Sequence, residues 1–426
     1  MASTAHRLAP LVEAVFGQDL PLRLRAWDGS EIGPADAPAI VLNRRRALRR
    51  IIWQPDELGL ARAFVSGDLD VDGDLYDVLT RASVLSRRES AVPLTMRDKV
   101  HLVRAAAGLG VVGPPPSPPD EEARISGTLH SKARDKAAVR HHYDVGNDFY
   151  HLVLGDSMVY SCAYWARHGD LGYGLQDAQY DKCDLIARKL ALEPGMRLLD
   201  VGCGWGTLAI RAARKYGVRV VGVTLSLEQA ELARKRVAEA GLTDQVEIRV
   251  QDYREVSDGP YDAISSVGMA EHVGAEKYAE YAACLFGLLR PGGRLLNHQI
   301  ARPPGATQQR VTFISAYVFP DGELLPLGTT VSVLEEAGFE VRDVESLREH
   351  YALTLRAWVT NLEQNWHGCV RHTSDARARV WQLYMAGSAL SFEQGRIGVN
   401  QVLAVRRHDD GRSDLPLTRA RLLGEV

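Results

Sequence analysis

Residues 199–207 read Leu199-Asp200-Val201-Gly202-Cys203-Gly204-Trp205-Gly206-Thr207. An apolar run over 196–201 enters this Gly-x-Gly-x-Gly turn, and a helical pattern over 208–216 leaves it. Glycines here permit a tight turn and let a ligand approach the backbone closely at the carboxyl edge of the first strand. The spacing is not the Gly-x-Gly-x-x-Gly of a dinucleotide site, and no Gly-Lys-Ser/Thr follows, as a phosphate-cradling P-loop requires. The turn instead carries a carboxylate, Asp200, at the strand end.

Working outward, apolar runs over 219–224, 246–250, 261–267 and 294–298 predict four more strands, with a helix over 227–240 between the first two. Strands alternating with helices at this spacing mean βαβ units: an α/β fold with a largely parallel sheet and helices on both faces. No internal repeat is visible.

The 426 residues are 46% hydrophobic and 25% charged, an ordinary globular composition. Lys+Arg 51 against Asp+Glu 54 gives a net charge of -3, which argues against bulk nucleic-acid binding. The five cysteines show no CxxC pair and no zinc-like spacing, so a reduced cytoplasm is expected and no metal site. No stretch is long and apolar enough for a spanning helix, and residues 1–10 lack the apolar core of a secretory signal. A protein that visits a membrane surface remains open.

Five prolines in the six positions 114–119 break the chain. They suit neither a helix nor a central strand, so residues 111–135 read as a semi-rigid linker or an extended surface crossing. Ahead of it, residues 1–110 predict a small α+β domain. A helical pattern (Leu8, Leu11, Val12, Val15, Phe16) opens it, a strand over 20–27 follows with Leu on one face, and Asp28-Gly29 supplies a turn. Arg44, Arg45, Arg46, Arg49 and Arg50 stand beside Ile51, Ile52 and Trp53. One reading is a solvated helix face. The other is a patch for anionic headgroups, where Arg pairs with phosphate and Trp sits at the interface.

Asp-x-Gly-x-Gly-x-Gly, with Gln251-Asp252-Tyr253 after the third strand, resembles the class I S-adenosylmethionine (SAM) methyltransferases. The acidic residue usual at the end of the second strand is replaced by Thr224-Leu225-Ser226, so ribose recognition must differ from the common version. Ahead of the sheet lie Arg140-His141-His142-Tyr143-Asp144-Val145-Gly146-Asn147 and Tyr160-Ser161-Cys162-Ala163-Tyr164-Trp165. Behind it come Gly268-Met269-Ala270-Glu271-His272-Val273-Gly274 and Tyr317-Val318-Phe319-Pro320. Taken in order, these motifs resemble the cyclopropane-fatty-acyl-phospholipid synthase family. The N-terminal part and proline segment are similar to its longer actinobacterial members, one branch of which makes 10-methylene chains, precursors of 10-methyl ones.

That resemblance implies a seven-stranded, mostly parallel Rossmann-like catalytic domain over 136–426. It implies SAM bound by Tyr160, Ser161, Asp200, Gly202, Gly204, Thr224, Ser226, Gln229, Gln251 and Asp252. It also implies a bicarbonate ion as base, held by Cys162, Glu271, His298, the backbone of Ile300, and Tyr351. Read without it, Cys162 is a small buried residue, Glu271 half of a surface pair, His298 ambiguous and Tyr351 ordinary core. Phe313, Ile314, Tyr317, Phe319, Trp358, Tyr384 and Phe392 are either plain core or the lining of an acyl channel. The expected reaction is one-carbon transfer to the cis double bond of a phospholipid acyl chain. The methylene product is favoured by Asn297 beside His298, where simple cyclopropane synthases often carry Leu; a cyclopropane is the alternative. Expected partners are the bilayer, met peripherally at its inner face, a second copy of the chain, and, for a methylene product, a flavin-dependent reductase.

Overall fold

The computed structural model describes residues 3–9, 21–86, 107–124, 127, 131, 134, 138, 142, 145–306 and 312–424. Leu11, Val12, Val15, Phe16 and Leu20 of the N-terminal expectations, and Arg140, His141, Tyr143 and Asp144, lie outside the described residues. Two compact units form, one from Met1–Ala123, Arg310–Val318 and Ser374–Leu390, the other from Arg124–Gln309, Phe319–Thr373 and Ser391–Val426.

In the first unit β1 (Arg23–Arg25), β2 (Glu31–Ile32) and β3 (Ala39–Leu42) lead to helices α1 (Arg45–Trp53) and α2 (Glu57–Val65). Strand β4 (Leu69–Asp72) and α3 (Leu75–Ser86) follow. The sheet order is β2-β1-β3-β4, with β1 and β3 parallel. Leu24 and Leu42 from the sheet, Leu48 and Phe64 from the helices, and Leu109 and Val111 share one apolar cluster. This is the expected α+β architecture, although β1 is shorter than the stretch read for it.

Asp68, fully buried, organises this unit. Its carboxylate accepts from Arg46 Nε at 2.8 Å, Arg50 Nε at 3.0 Å and Ser66 Oγ at 2.9 Å. Burial pushes the carboxyl pKa up, and these hydrogen bonds more than offset it, leaving Asp68 below the usual carboxylate range. Arg50 also donates to the Ser117 carbonyl at 2.8 Å, and Trp53 Nε1 to the Gly113 carbonyl at 2.9 Å. Arg62 pairs with Glu122 at 2.6 Å.

The proline segment is therefore no spacer. Without proline N–H groups it cannot join a ladder, and its carbonyls accept instead from side chains of α1. The first unit runs to Ala123 rather than ending at 110. It also takes in two later segments, so 136–426 is not one uninterrupted domain. Long-range contacts fix this: Ala123 N donates to Ala316 O at 2.7 Å, and Arg379 pairs with Asp70 at 2.9 Å. Nor is the arginine cluster a free patch, since Arg46 and Arg50 hold Asp68 and Arg45 lies over Trp27. Ile52, Trp53 and Val112 remain exposed.

The second unit opens with α4 (Asn147–Leu154) and α5 (Leu175–Lys189). Then come β5 (Arg197–Val201), α6 (Thr207–Tyr216), β6 (Arg219–Thr224), α7 (Leu227–Glu239), β7 (Val246–Val250), β8 (Tyr261–Val267), α8 (Tyr278–Leu288) and β9 (Leu289–Ala301). Helix α9 (Leu327–Glu336), β10 (Glu340–Ser346), α10 (Arg348–Gln364) and β11 (Gly398–Val405) complete the labelled set. The seven-stranded sheet runs β10-β11-β9-β8-β5-β6-β7. The strands from β9 to β7 pair in parallel, whereas β11 is antiparallel to both β9 and β10. Two apolar clusters involve this sheet: Leu198, Val220 and Ile248 join one, Leu199, Val223 and Ile264 the other.

The five strands read from periodicity are present, and β9 extends well beyond the 294–298 expected. Periodicity did not reveal β10 or β11. Strand β10 is an edge whose alternate residues carry charge, and β11 follows a long helical stretch. Among the described residues no helix is long and apolar enough to cross a membrane.

Removing Asp68 strands the buried Arg50 guanidinium. Asp68→Ala should therefore cost about 3 kcal/mol or more, whereas Arg46→Ala, at a side chain 44% exposed, should cost about 1 kcal/mol or less. Thermal unfolding of the two variants checks the order; equal losses would contradict it.

Candidate active site

The glycine turn begins where β5 ends. Gly202, Gly204 and Gly206 all have positive φ, a conformation that side chains resist. At Gly206 a Cβ would also stand 3.2 Å from Ala233 Cβ on α7, so this glycine lets two helices approach. The Val223 carbonyl on β6 accepts from both Gly202 N and Cys203 N and pins the turn. Asp200 is buried, accepts from Ser265 Oγ at 2.7 Å, and is pushed up to about 6 by burial.

A cleft opens over this turn. It is lined by Tyr160, Ser161, Asp200, Gly202, Gly204, Thr224, Gln229, Gln251 and Asp252, which are the expected cofactor residues apart from Ser226. The Ser226 hydroxyl instead caps α7, accepting from Gln229 N at 3.2 Å. That is the preferred task of a serine at a helix start, and Ser226 does not line the cleft. Thr224 Oγ1 donates to Gln229 Oε1 at 3.0 Å and accepts from Ser226 N. These two neutral side chains hold the strand end where an acidic residue is usual. Asp252 is bound by Arg254 at 2.6 Å.

The expected base-holding residues meet through a backbone relay. Glu271 lies in a short helical turn after β8, and its Oε1 accepts from Ile300 N on β9 at 2.7 Å. His298 is two residues earlier on β9, hence on the same face. Register pairs His298 with Gln401 and Ile300 with Val399 on β11. The Val399 carbonyl accepts from Leu347 N, and the Leu347 carbonyl accepts from both Tyr351 N and, at 3.6 Å, the Cys162 thiol. All five positions are thus linked.

Burial pushes the titratable members of this group toward neutrality. The Glu271 carboxyl is raised to about 7, the His298 imidazole lowered to about 3 and the Cys162 thiol raised. Glu271 Oε2 and His298 Nε2 are buried without a hydrogen-bond partner among the described residues. Gln401 Nε2 sits 3.3 Å from His298 Nδ1; with the amide donating, Nε2 carries the ring hydrogen. An orphan N–H, a thiol and a half-protonated carboxyl fit a small oxyanion such as bicarbonate.

Tyr160, on the cleft, lies tilted against Trp358; Trp358 meets Tyr351 edge-on, and Tyr351 lies against Phe392. An aromatic wall therefore joins the cleft to the base-holding group. Phe319 lines the cleft. The remaining channel candidates Phe313, Ile314, Tyr317 and Tyr384 belong to the first unit.

Asn297 points elsewhere. On the face opposite His298, it donates to Gln299 Oε1 at 2.8 Å and accepts from Tyr281 OH at 2.9 Å, inside a buried network with Tyr278 and Ser266. Several cleft residues had no role in the sequence reading, among them Lys182, Trp205 and His272, the last lowered to about 4 by burial. Trp205 and His272 stood inside quoted motifs, whereas Lys182 lies in a helix with no motif of its own.

The family described as mycolic acid cyclopropane synthetase matches residues 130–402. A probable fatty acid methyltransferase of Mycobacterium tuberculosis is 42% identical over 93% of this chain and 94% of its own. The tuberculostearic acid methyltransferase of the same organism is 35% identical over 91% and 88%. The crystal structure of the mycolic acid cyclopropane synthase CmaA1 complexed with SAH and CTAB superposes with a TM-score of 0.60. It is 36% identical and covers 63% of this chain and 97% of that one.

The raised carboxyl at Glu271 has a measurable consequence. A carboxyl whose folded pKa lies above its unfolded value gives stability that is full below the unfolded pKa and lost as pH rises through about 7. Glu271→Gln, which cannot ionise, escapes that loss. Its melting temperature should gain on wild type between pH 5 and pH 8; an equal offset at both pH values would mean the carboxylate is solvated.

Proposed function

The chain belongs to the mycolic acid cyclopropane synthetase family, and from that premise we propose that it transfers a one-carbon unit to the cis double bond of a phospholipid acyl chain. That it is a SAM-dependent methyltransferase acting on fatty acyl chains follows from its relatives. The finer reading rests on one observation: the desolvated Cys162, Glu271, His298, Ile300 and Tyr351 group, joined by an aromatic wall to the cleft that the expected SAM residues line.

An isolated alkene is a poor nucleophile. The sulfonium must drive methyl transfer, and the resulting carbocation survives only where water is excluded. The wall of Tyr160, Trp358, Tyr351 and Phe392 supplies apolar, electron-rich faces of the kind that stabilise cations. The His298 N–H would hold bicarbonate directly, the Cys162 thiol and Ile300 N–H would turn to it by exchanging their present acceptors, the Leu347 carbonyl and Glu271 Oε1, and Glu271 would face it as the partly protonated carboxyl. When bound, that ion supplies the base that takes the last proton. The net change is the same for either product: one methyl gained, one proton lost.

The products part at proton loss. Loss from the new methyl closes a cyclopropane, whereas a hydride shift followed by loss gives an exomethylene. The methylene product stays first in this reading, on the full-length similarity to a tuberculostearic acid methyltransferase. Asn297 lends it no direct support, because it faces away from His298. A flavin-dependent reductase would then complete the methyl branch.

The substrate places the enzyme at a membrane surface. Arg44, at the start of α1, stays largely exposed, as do Ile52 and Trp53 at its other end and Val112; these are the groups for an interfacial contact. Trp53→Asp should lower cosedimentation with anionic vesicles severalfold while leaving SAM affinity unchanged; unchanged sedimentation removes this face from the reading.

Incubating the enzyme with SAM and vesicles of cis-unsaturated phospholipid should raise acyl mass by one CH2. Cleavage of that product by ozone marks an exomethylene, and resistance marks a cyclopropane. Glu271→Gln should slow turnover by about a hundredfold or more with SAM affinity near normal. Full activity in that variant would remove the base-site assignment, and no modified lipid would remove the reaction.

A further inference from the structure

Lys182 has no part in the chemistry above, yet it occupies a costly position. It projects from α5, is only 2% exposed, and lines the cleft with Ser161, Asp200 and Gly202. Its ammonium donates to Ser161 Oγ at 3.0 Å. Among the described residues it has no other hydrogen-bond acceptor, and no carboxylate pairs with it. An ammonium carries three donors, and a buried cation without an anion is destabilising. Two donors and a full charge therefore remain for whatever fills the cleft.

Asp200 brings the opposite charge to the same cleft. The two groups feel one another, since Lys182 draws the Asp200 carboxyl down against the effect of burial. They nevertheless make no direct ion pair. A ligand end that carries both a carboxylate and an ammonium would satisfy both at once, and this is the chemistry of an α-amino acid.

The rest of the cleft agrees with that placement. Thr224 ends β6 and Gln229 lies in the first turn of α7, with Gln251 and Asp252 just beyond the end of β7, where hydroxyl and base-edge groups of a nucleoside find hydrogen-bonding partners. Lys182 and Ser161 lie apart from these in sequence, on α5 and the segment before it. A lysine near the sulfonium would repel it. Only the carboxylate end of the cofactor carries the charge that a lysine attracts.

We propose that Lys182 anchors the α-carboxylate of the methionine moiety of SAM, with Asp200 facing its α-ammonium. The proposal rests on the cleft being the SAM site. Ser161 then acts as a positioning residue, fixing the Lys182 ammonium by accepting one of its hydrogens. Because the sulfonium and the transferred methyl do not touch Lys182, its contribution falls on cofactor binding rather than on the chemical step.

Calorimetric titration of the full-length protein tests this with three ligands: SAM, S-adenosylhomocysteine, and decarboxylated SAM, which keeps the sulfonium, the nucleoside and the ammonium. Wild type should bind SAM at least about tenfold more tightly than the decarboxylated compound. Lys182→Met should weaken SAM and S-adenosylhomocysteine by a similar factor and leave decarboxylated SAM within about twofold of wild type. Lys182→Arg should recover part of the loss. Equal weakening for all three ligands would show that Lys182 merely shapes the cleft and would overturn the proposal, as would unchanged SAM affinity. Should Lys182→Met fail to fold, wild type decides alone: equal affinity for SAM and its decarboxylated form refutes the anchor. Binding of none of the three ligands to wild type would overturn the cofactor site itself, a failure distinct from the others.

Discussion

Desolvation at the carboxyl edge of the sheet is the constraint on which the rest of this protein depends. Asp200 and Glu271 are raised, His298 and His272 lowered and the Cys162 thiol raised, each with burial as the leading cause. A region that neutralises its own ionisable groups is one from which water is excluded. In the proposed reaction the same exclusion would protect a carbocation from hydration. A cost in folding stability and a gain in reaction fidelity would then share one physical origin.

Holding such a region together requires backbone rather than surface contacts. The antiparallel strand β11 sets Val399 opposite Ile300 and Gln401 opposite His298. Through Leu347 it ties the start of α10, and so Tyr351, to the segment carrying Cys162. Behind β9, Asn297 and Gln299 are satisfied by Tyr278, Tyr281 and Thr330. A fully bonded polar layer of this kind rigidifies the strand whose other face carries His298. The first unit solves its own burial problem in the same manner, around Asp68, with the proline segment bound by the arginine and tryptophan of α1.

Much of this was legible in the sequence because its causes are local. The turn from Leu199 to Thr207 needs glycine at fixed offsets, and β5 to β8 are short apolar runs bounded by turn residues. Strand β10 was not legible, since its alternating charges suit an exposed edge as well as a loop, nor was β11, whose role is to pair between β9 and β10. The capping role of Ser226 was not legible either, because a helix cap and a ligand contact use the same residue type at the same strand end. Lys182 was invisible because nothing in the sequence of α5 distinguishes a lysine buried beside Asp200 from one in solvent.

The sequence by itself determined the α/β class, the position of the glycine turn and the order of the motifs, since each depends on neighbours along the chain. Tertiary structure alone decided which units the chain divides into and that the arginine cluster grips Asp68. It also decided that Asn297 turns away from His298, and that Lys182 and Asp200 line one cleft without touching. These depend on pairings between distant segments and on the loss of water around charged groups, and neither is written in any local pattern of residues.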